Sequence, residues 1–95
     1  MQTLFVPDGG SVDRPLKLHD LRRILKSYGI EEDQSRGKGS HTLFYEKDSQ
    51  TGKTVASFPV PTNRTDVLVP YVKGCRRRFN LRAKDGVSDK EFYSR

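Results

Sequence analysis

The residues best suited to chemistry in this chain lie together in Gly37-Lys38-Gly39-Ser40-His41, followed at once by Thr42-Leu43-Phe44-Tyr45. The chain has 2 histidines in 95 residues, and His41 sits where a glycine-rich, basic loop becomes an apolar strand. Imidazole is the side chain whose unperturbed pKa, about 6.5, lies nearest neutrality, so it takes or gives a proton in the cell. A lysine between glycines attracts phosphate, and glycine lets the backbone approach it closely. The combination points to proton transfer on a phosphodiester. A plainer reading stands on the same residues: the glycines form a turn and His41 only begins a strand.

RNA carries its own nucleophile, the 2′-hydroxyl. A nuclease acting on it without metal needs a base for that proton, cations to offset the phosphate charge, and an acid for the leaving oxygen. His41 suits the base or the acid. Lys38 is the nearest cation for the phosphorane oxygens, and the backbone N–H groups of Gly39 and Ser40 suit a phosphate. A second proton-transfer group is not visible. Glu31, Glu32 and Asp33 are adjacent, so they cannot all lie on one strand face, and they read as a solvated acidic loop. No metal site and no small-molecule cofactor is expected. His19, beside Asp20, reads as a surface residue, Tyr45 as a packing residue that could also stack on a base, and Cys75 as core.

Charge narrows the partner. The net charge is +6, and the excess lies in residues 60–84, where Arg64, Lys73, Arg76, Arg77, Arg78, Arg82 and Lys84 face one acid, Asp66. A concentrated basic segment in a small domain favours a polyanion such as nucleic acid. A solvated helix face or a patch for an acidic protein would have the same composition. Arg77 and Arg78 are the candidate phosphate contacts. The run Arg76-Arg77-Arg78 spreads over more than half of a helix circumference, so all three cannot touch one groove, and one is left for a protein partner.

The remaining sequence must position these groups. Apolar content is 33%, enough for one small core. No apolar run is long enough to span a membrane, and the N-terminal residues, lacking a basic n-region and an apolar h-region, are not expected to form a signal peptide. The single cysteine excludes an internal disulfide and suits a reducing cytosol. Residues 1–15 read as an N-terminal extension and 16–95 as the domain. In the extension, Leu4-Phe5-Val6 suits a short edge strand or a tail.

Leu18, Leu21, Ile24, Leu25 and Tyr28 form one helical stripe that stops at Gly29. Ile30 to Arg36 is at most a weak strand. His41 to Glu46 and Lys53 to Val60 read as a hairpin that Pro59 and Pro61 bring to an end. Thr62 to Val69 reads as a loop. A second helix starts near Pro70 with Val72, Cys75 and Phe79 on one face, and Gly74 weakens it. Ser88 and Glu91 form a capping box for a short last helix. The expected class is α+β: helix, two or three antiparallel strands, helix, short helix, with one open sheet face.

Four features in this order resemble the HicA family, the toxin half of a bacterial type II toxin–antitoxin pair. They are Leu21 to Gly29 as the first helix, Lys38-Gly39-Ser40-His41 as the lysine-glycine-serine-histidine signature, Val60-Pro61 at the close of the last strand, and Phe79 onward to Gly86-Val87-Ser88-Asp89-Lys90-Glu91-Phe92 as the closing helices. The resemblance runs from about Leu18 to Tyr93. It implies a fold similar to double-stranded-RNA-binding domains, with a three-stranded antiparallel sheet. It implies an mRNA interferase, a metal-independent endoribonuclease acting on mRNA in the cytoplasm, with His41 as the catalytic residue and a HicB-like antitoxin as partner. The family often carries a second histidine shortly after the valine-proline. Thr62, Asn63 and Arg64 stand there in this chain. The competing expectation is a non-catalytic RNA-binding module of the same fold.

Overall fold

The computed structural model describes residues 12–36 and 39–95. The expected edge strand at Leu4-Phe5-Val6 therefore lies outside the described residues. Helix α1 spans Leu18–Ser27, strand β2 Glu31–Asp33, β3 His41–Lys47, β4 Thr54–Pro61, helix α2 Val69–Arg78 and helix α3 Asp89–Tyr93. A two-residue strand β1, Leu16–Lys17, precedes α1, and a matching β5, Asp66–Val67, precedes α2. The class is α+β, as expected from the alternation of helical and strand patterns.

Helix α1 forms where the stripe was read. Leu21, Ile24 and Leu25 are fully buried. Gly29, at φ 83°, ends it. There the N–H of Gly29 donates to the Lys26 carbonyl and that of Ile30 to the Leu25 carbonyl, the paired bonds of a Schellman motif, with buried Ile30 and Leu25 supplying its apolar contact.

The sheet order is β2-β3-β4, antiparallel throughout. Strand alternation turns Thr42 and Phe44 of β3, and Ala56 and Val60 of β4, into the same core as Val72, Cys75, Phe79 and Phe92 from the helices. The opposite face carries Leu43, Tyr45 and Val55, the last 57% exposed. The sheet thus has one covered and one open face.

β4 ends at Pro61, as expected, with Pro59 and Pro61 paired to Leu43 and His41, and two other sequence expectations are corrected. β4 is the outer strand, where a residue lacking an N–H loses no ladder bond if that position faces outward. The segment 62–69 holds β5, which pairs with β1 through Leu16↔Val67 and Lys17↔Asp66. Glu31–Asp33 is a strand, not a solvated loop. Its middle residue, Glu32, turns back toward α1 and accepts hydrogen bonds from Arg22 Nε at 3.0 Å and Thr42 Oγ1 at 2.6 Å.

Helix α2 crosses close to β4. A β-carbon at Gly74 would overlap the Phe58 ring. The glycine that weakens the helix is thus the residue that lets it reach the sheet. Ser88 caps α3 as read, its Oγ accepting from the Glu91 N–H at 3.1 Å.

Candidate functional site

His41 opens β3 beside a turn whose geometry comes from Gly39, at φ 69°. The Ser40 carbonyl accepts the Thr62 N–H at 2.7 Å, and His41 lies opposite Pro61 in the ladder. These contacts fix the start of β3 to the end of β4. The chain leaving β4 then curls around the end of the sheet toward β5 and α2, and a cleft of about 330 Å³ forms in the curl. Ser40 and His41 line it on one side, Asn63, Arg64 and Asp66 on another, and Tyr71 of α2 completes it. Ser40 Oγ lies 3.3 Å from His41 Nδ1, the donor depending on the imidazole tautomer. Asp66 is tied at the rim to Lys17 Nζ at 3.0 Å.

The cleft has the parts for phosphodiester chemistry: an imidazole with a hydroxyl beside it, a guanidinium, an amide and a phenol. Of the predicted site residues it contains Ser40 and His41. Gly39 is exposed in the adjoining turn, and Lys38 lies outside the described residues. Asn63, Arg64 and Tyr71 were not singled out as site residues. The available signal was the register: once His41 pairs with Pro61, the residues just after Pro61 must fall beside the imidazole.

Arg77 and Arg78, both exposed, line a different cleft of about 610 Å³, with Val55 and Phe58 of β4 and Gly74 and Asn80 around α2. Arg78 Nε donates to the Ser57 carbonyl at 3.1 Å, covering part of the outer edge of β4. This cleft shares no lining residue with that of His41. The structure therefore does not gather the predicted residues into one pocket.

The basic segment also presents less charge than its composition suggests. Arg76 is fully buried. Its Nη1 reaches Asp89 at 2.7 Å and Asp13 at 2.9 Å, its Nε donates to the Leu81 carbonyl and its Nη2 to the Val87 carbonyl. The guanidinium also lies 4.6 Å from the Phe92 ring centroid. Burial alone would lower its pKa, but the hydrogen bonds to Asp89 and Asp13 outweigh that and raise it. Arg76 is thus a buried structural cation that holds Asp13 against α3. Arg82 is held by Asp85 at 2.9 Å. The Asp85 carboxyl stays below the usual carboxylate range, chiefly because Arg82 hydrogen-bonds to it.

No protein-family model matches the chain, and neither a curated protein nor a solved structure does. Among the described residues no group of three or more His, Cys, Asp or Glu side chains is arranged to hold a metal ion. No helix among them is long and apolar enough to cross a membrane.

Proposed function

We propose that this chain is a HicA-like toxin, an mRNA interferase of double-stranded-RNA-binding-domain-like fold that cleaves RNA with His41 as its proton-transfer group. The observation that carries the proposal is the His41 cleft, which is lined by both the imidazole and the Arg64 guanidinium, the latter without an ion pair among the described residues. The element order α1, three antiparallel strands, α2 supports the fold assignment, and the lysine-glycine-serine-histidine match supports the family.

The chemistry follows from the parts. His41 removes the proton from a 2′-hydroxyl, or protonates the leaving 5′-oxygen, while a guanidinium offsets the charge on the phosphorane. A slow enzyme suffices when the target is the cell's own mRNA. A HicB-like antitoxin is the proposed protein partner.

The test is expression of His41→Ala. His41 sits half-exposed at a strand start, so the variant should keep its fold while relieving growth arrest and losing RNA cleavage in vitro. Arrest and cleavage equal to the parent would sink the assignment.

A second reading, a non-catalytic RNA-binding module, is favoured by one observation: exposed Arg77 and Arg78 lie outside the His41 cleft. In that case RNA binding with a steep salt dependence persists without cleavage, and Arg77→Ala or Arg78→Ala lowers the salt slope by about one unit each.

A further inference from the structure

Two clefts meet at Asn63 and Arg64. One is the His41 cleft. The other, of about 360 Å³, lies against the first turns of α1 and is lined by Leu18, His19 and Arg22 together with Asn63 and Arg64. Because Asn63 and Arg64 line both, they form the saddle between them. The chain's two histidines thus stand one in each of two adjoining clefts, His19 with its side chain 76% exposed.

Arg64 differs from most other arginines of the chain. Arg22 is held by Glu32, Arg23 by Asp20, Arg82 by Asp85 and Arg95 by Glu91. Arg64 is exposed and makes no ion pair or hydrogen bond among the described residues. A planar fork of donors with no internal acceptor, placed on a saddle, suits bidentate capture of a phosphate. Asn63 beside it adds an amide, and Thr62 and Thr65 add hydroxyls on the α1 side.

Resting on the ribonuclease reading above, we infer that Arg64 is a phosphate clamp, and that a single RNA strand crosses it from the His41 cleft into the His19 cleft. The phosphate held by Arg64 is the scissile one, and the His19 cleft takes the nucleotide beside it. The strand therefore leaves toward α1 and not along α2 toward Arg77. A duplex does not fit this path: its bases are stacked inside, and a paired strand cannot fold over a one-loop wall. A single strand can splay consecutive units into adjoining clefts.

The experiment uses the full chain carrying His41→Ala, so that RNA stays intact, with a labelled single-stranded RNA of about ten nucleotides. Adding Arg64→Ala should weaken binding about tenfold and lower the magnitude of the salt slope by about 0.7. Arg64→Lys should restore the slope but only part of the affinity, since a point charge replaces a fork. Lys53→Ala, at the hairpin turn, should bind like the parent. By NMR, a uridine monophosphate should shift Asn63 and Arg64 without moving the His19 ring, whereas the oligonucleotide should shift all three. An unchanged affinity and slope in Arg64→Ala, or a His19 ring unmoved by saturating oligonucleotide, overturns the path. Failure of the two ideas is distinguishable: full cleavage by Arg64→Ala in the His41 background removes the clamp and leaves the ribonuclease. A parent chain that binds RNA through Arg64 but never cleaves it removes the ribonuclease and leaves the clamp.

Discussion

The Arg76 guanidinium lies 2.9 Å from the Asp13 carboxylate in the interior of the molecule, although 63 positions separate them in the chain. Arg76 and Asp13 have side chains 1% and 6% exposed. The Tyr93 hydroxyl donates to the same Asp13 oxygen at 2.7 Å, so the segment before β1 is fastened to both α2 and α3.

Removing the cation leaves two carboxylates without their guanidinium, Asp13 in a desolvated place and Asp89 partly exposed beside it. Arg76→Met should therefore destabilise the domain by about 3–5 kcal/mol. Arg77→Met, one residue along and exposed, should change stability by no more than about 0.5 kcal/mol. Chemical denaturation of both variants checks this, and equal midpoints would sink the structural assignment of Arg76.

Gly74→Ala sets two effects against each other. Helix propensity alone favours alanine by about 1 kcal/mol. Overlap of the new methyl with the Phe58 ring should cost about 1–3 kcal/mol, because α2 and β4 must part or the ring must leave its rotamer. A net loss of melting temperature is expected. In a Phe58→Ala background the same substitution should become neutral or stabilising. A raised melting temperature in the parent background would show that α2 does not pack this closely on β4.

Burial pushes the Cys75 thiol up from 9.0 to about 12. It likewise pushes the Tyr93 phenol from 10.0 to about 12, with the hydrogen bond to Asp13 adding to the effect. Both groups hold their proton more tightly folded than unfolded. Their contribution to stability is therefore complete below the unfolded value and is lost as pH rises through the folded one. Melting temperature should hold up to about pH 9 and fall from there toward pH 12. Cys75→Ala should flatten the first part of that fall. The native thiol should also resist alkylation at neutral pH, so rapid labelling of the folded chain would contradict its burial.

Cleavage measured under single-turnover conditions should follow the imidazole. If His41 takes the 2′-hydroxyl proton, the rate rises with pH; if it protonates the leaving oxygen, the rate falls. A chelator should leave either curve unchanged. A flat profile where chemistry limits the rate, or strict dependence on a divalent ion, would remove His41 from the chemical step.

Local order was legible in the residues themselves. The stripe Leu21, Ile24, Leu25 with Gly29 behind it specifies α1 and its end. The β-forming run from Thr42, answered by the run before Val60, specifies the hairpin, and Ser88 specifies the start of α3. These signals are periodicities and caps, which act over a few residues and need no distant partner. His41 stood out for the same reason, by its type and its place at a loop-to-strand junction. Other features came only with the assembled molecule. Arg76 reads as one more surface arginine until Asp13 and Asp89 surround it. Two-residue strands such as β1 and β5 are too short to carry a pattern and exist because each pairs with the other. Arg64 enters the His41 cleft only because the register sets His41 opposite Pro61, and Arg77 and Arg78 are kept out of it because α2 points its last turn the other way. Sequence fixes which way each short segment prefers to bend. Which charges are buried and which are left exposed depends on contacts between segments far apart in the chain, made only when the core closes.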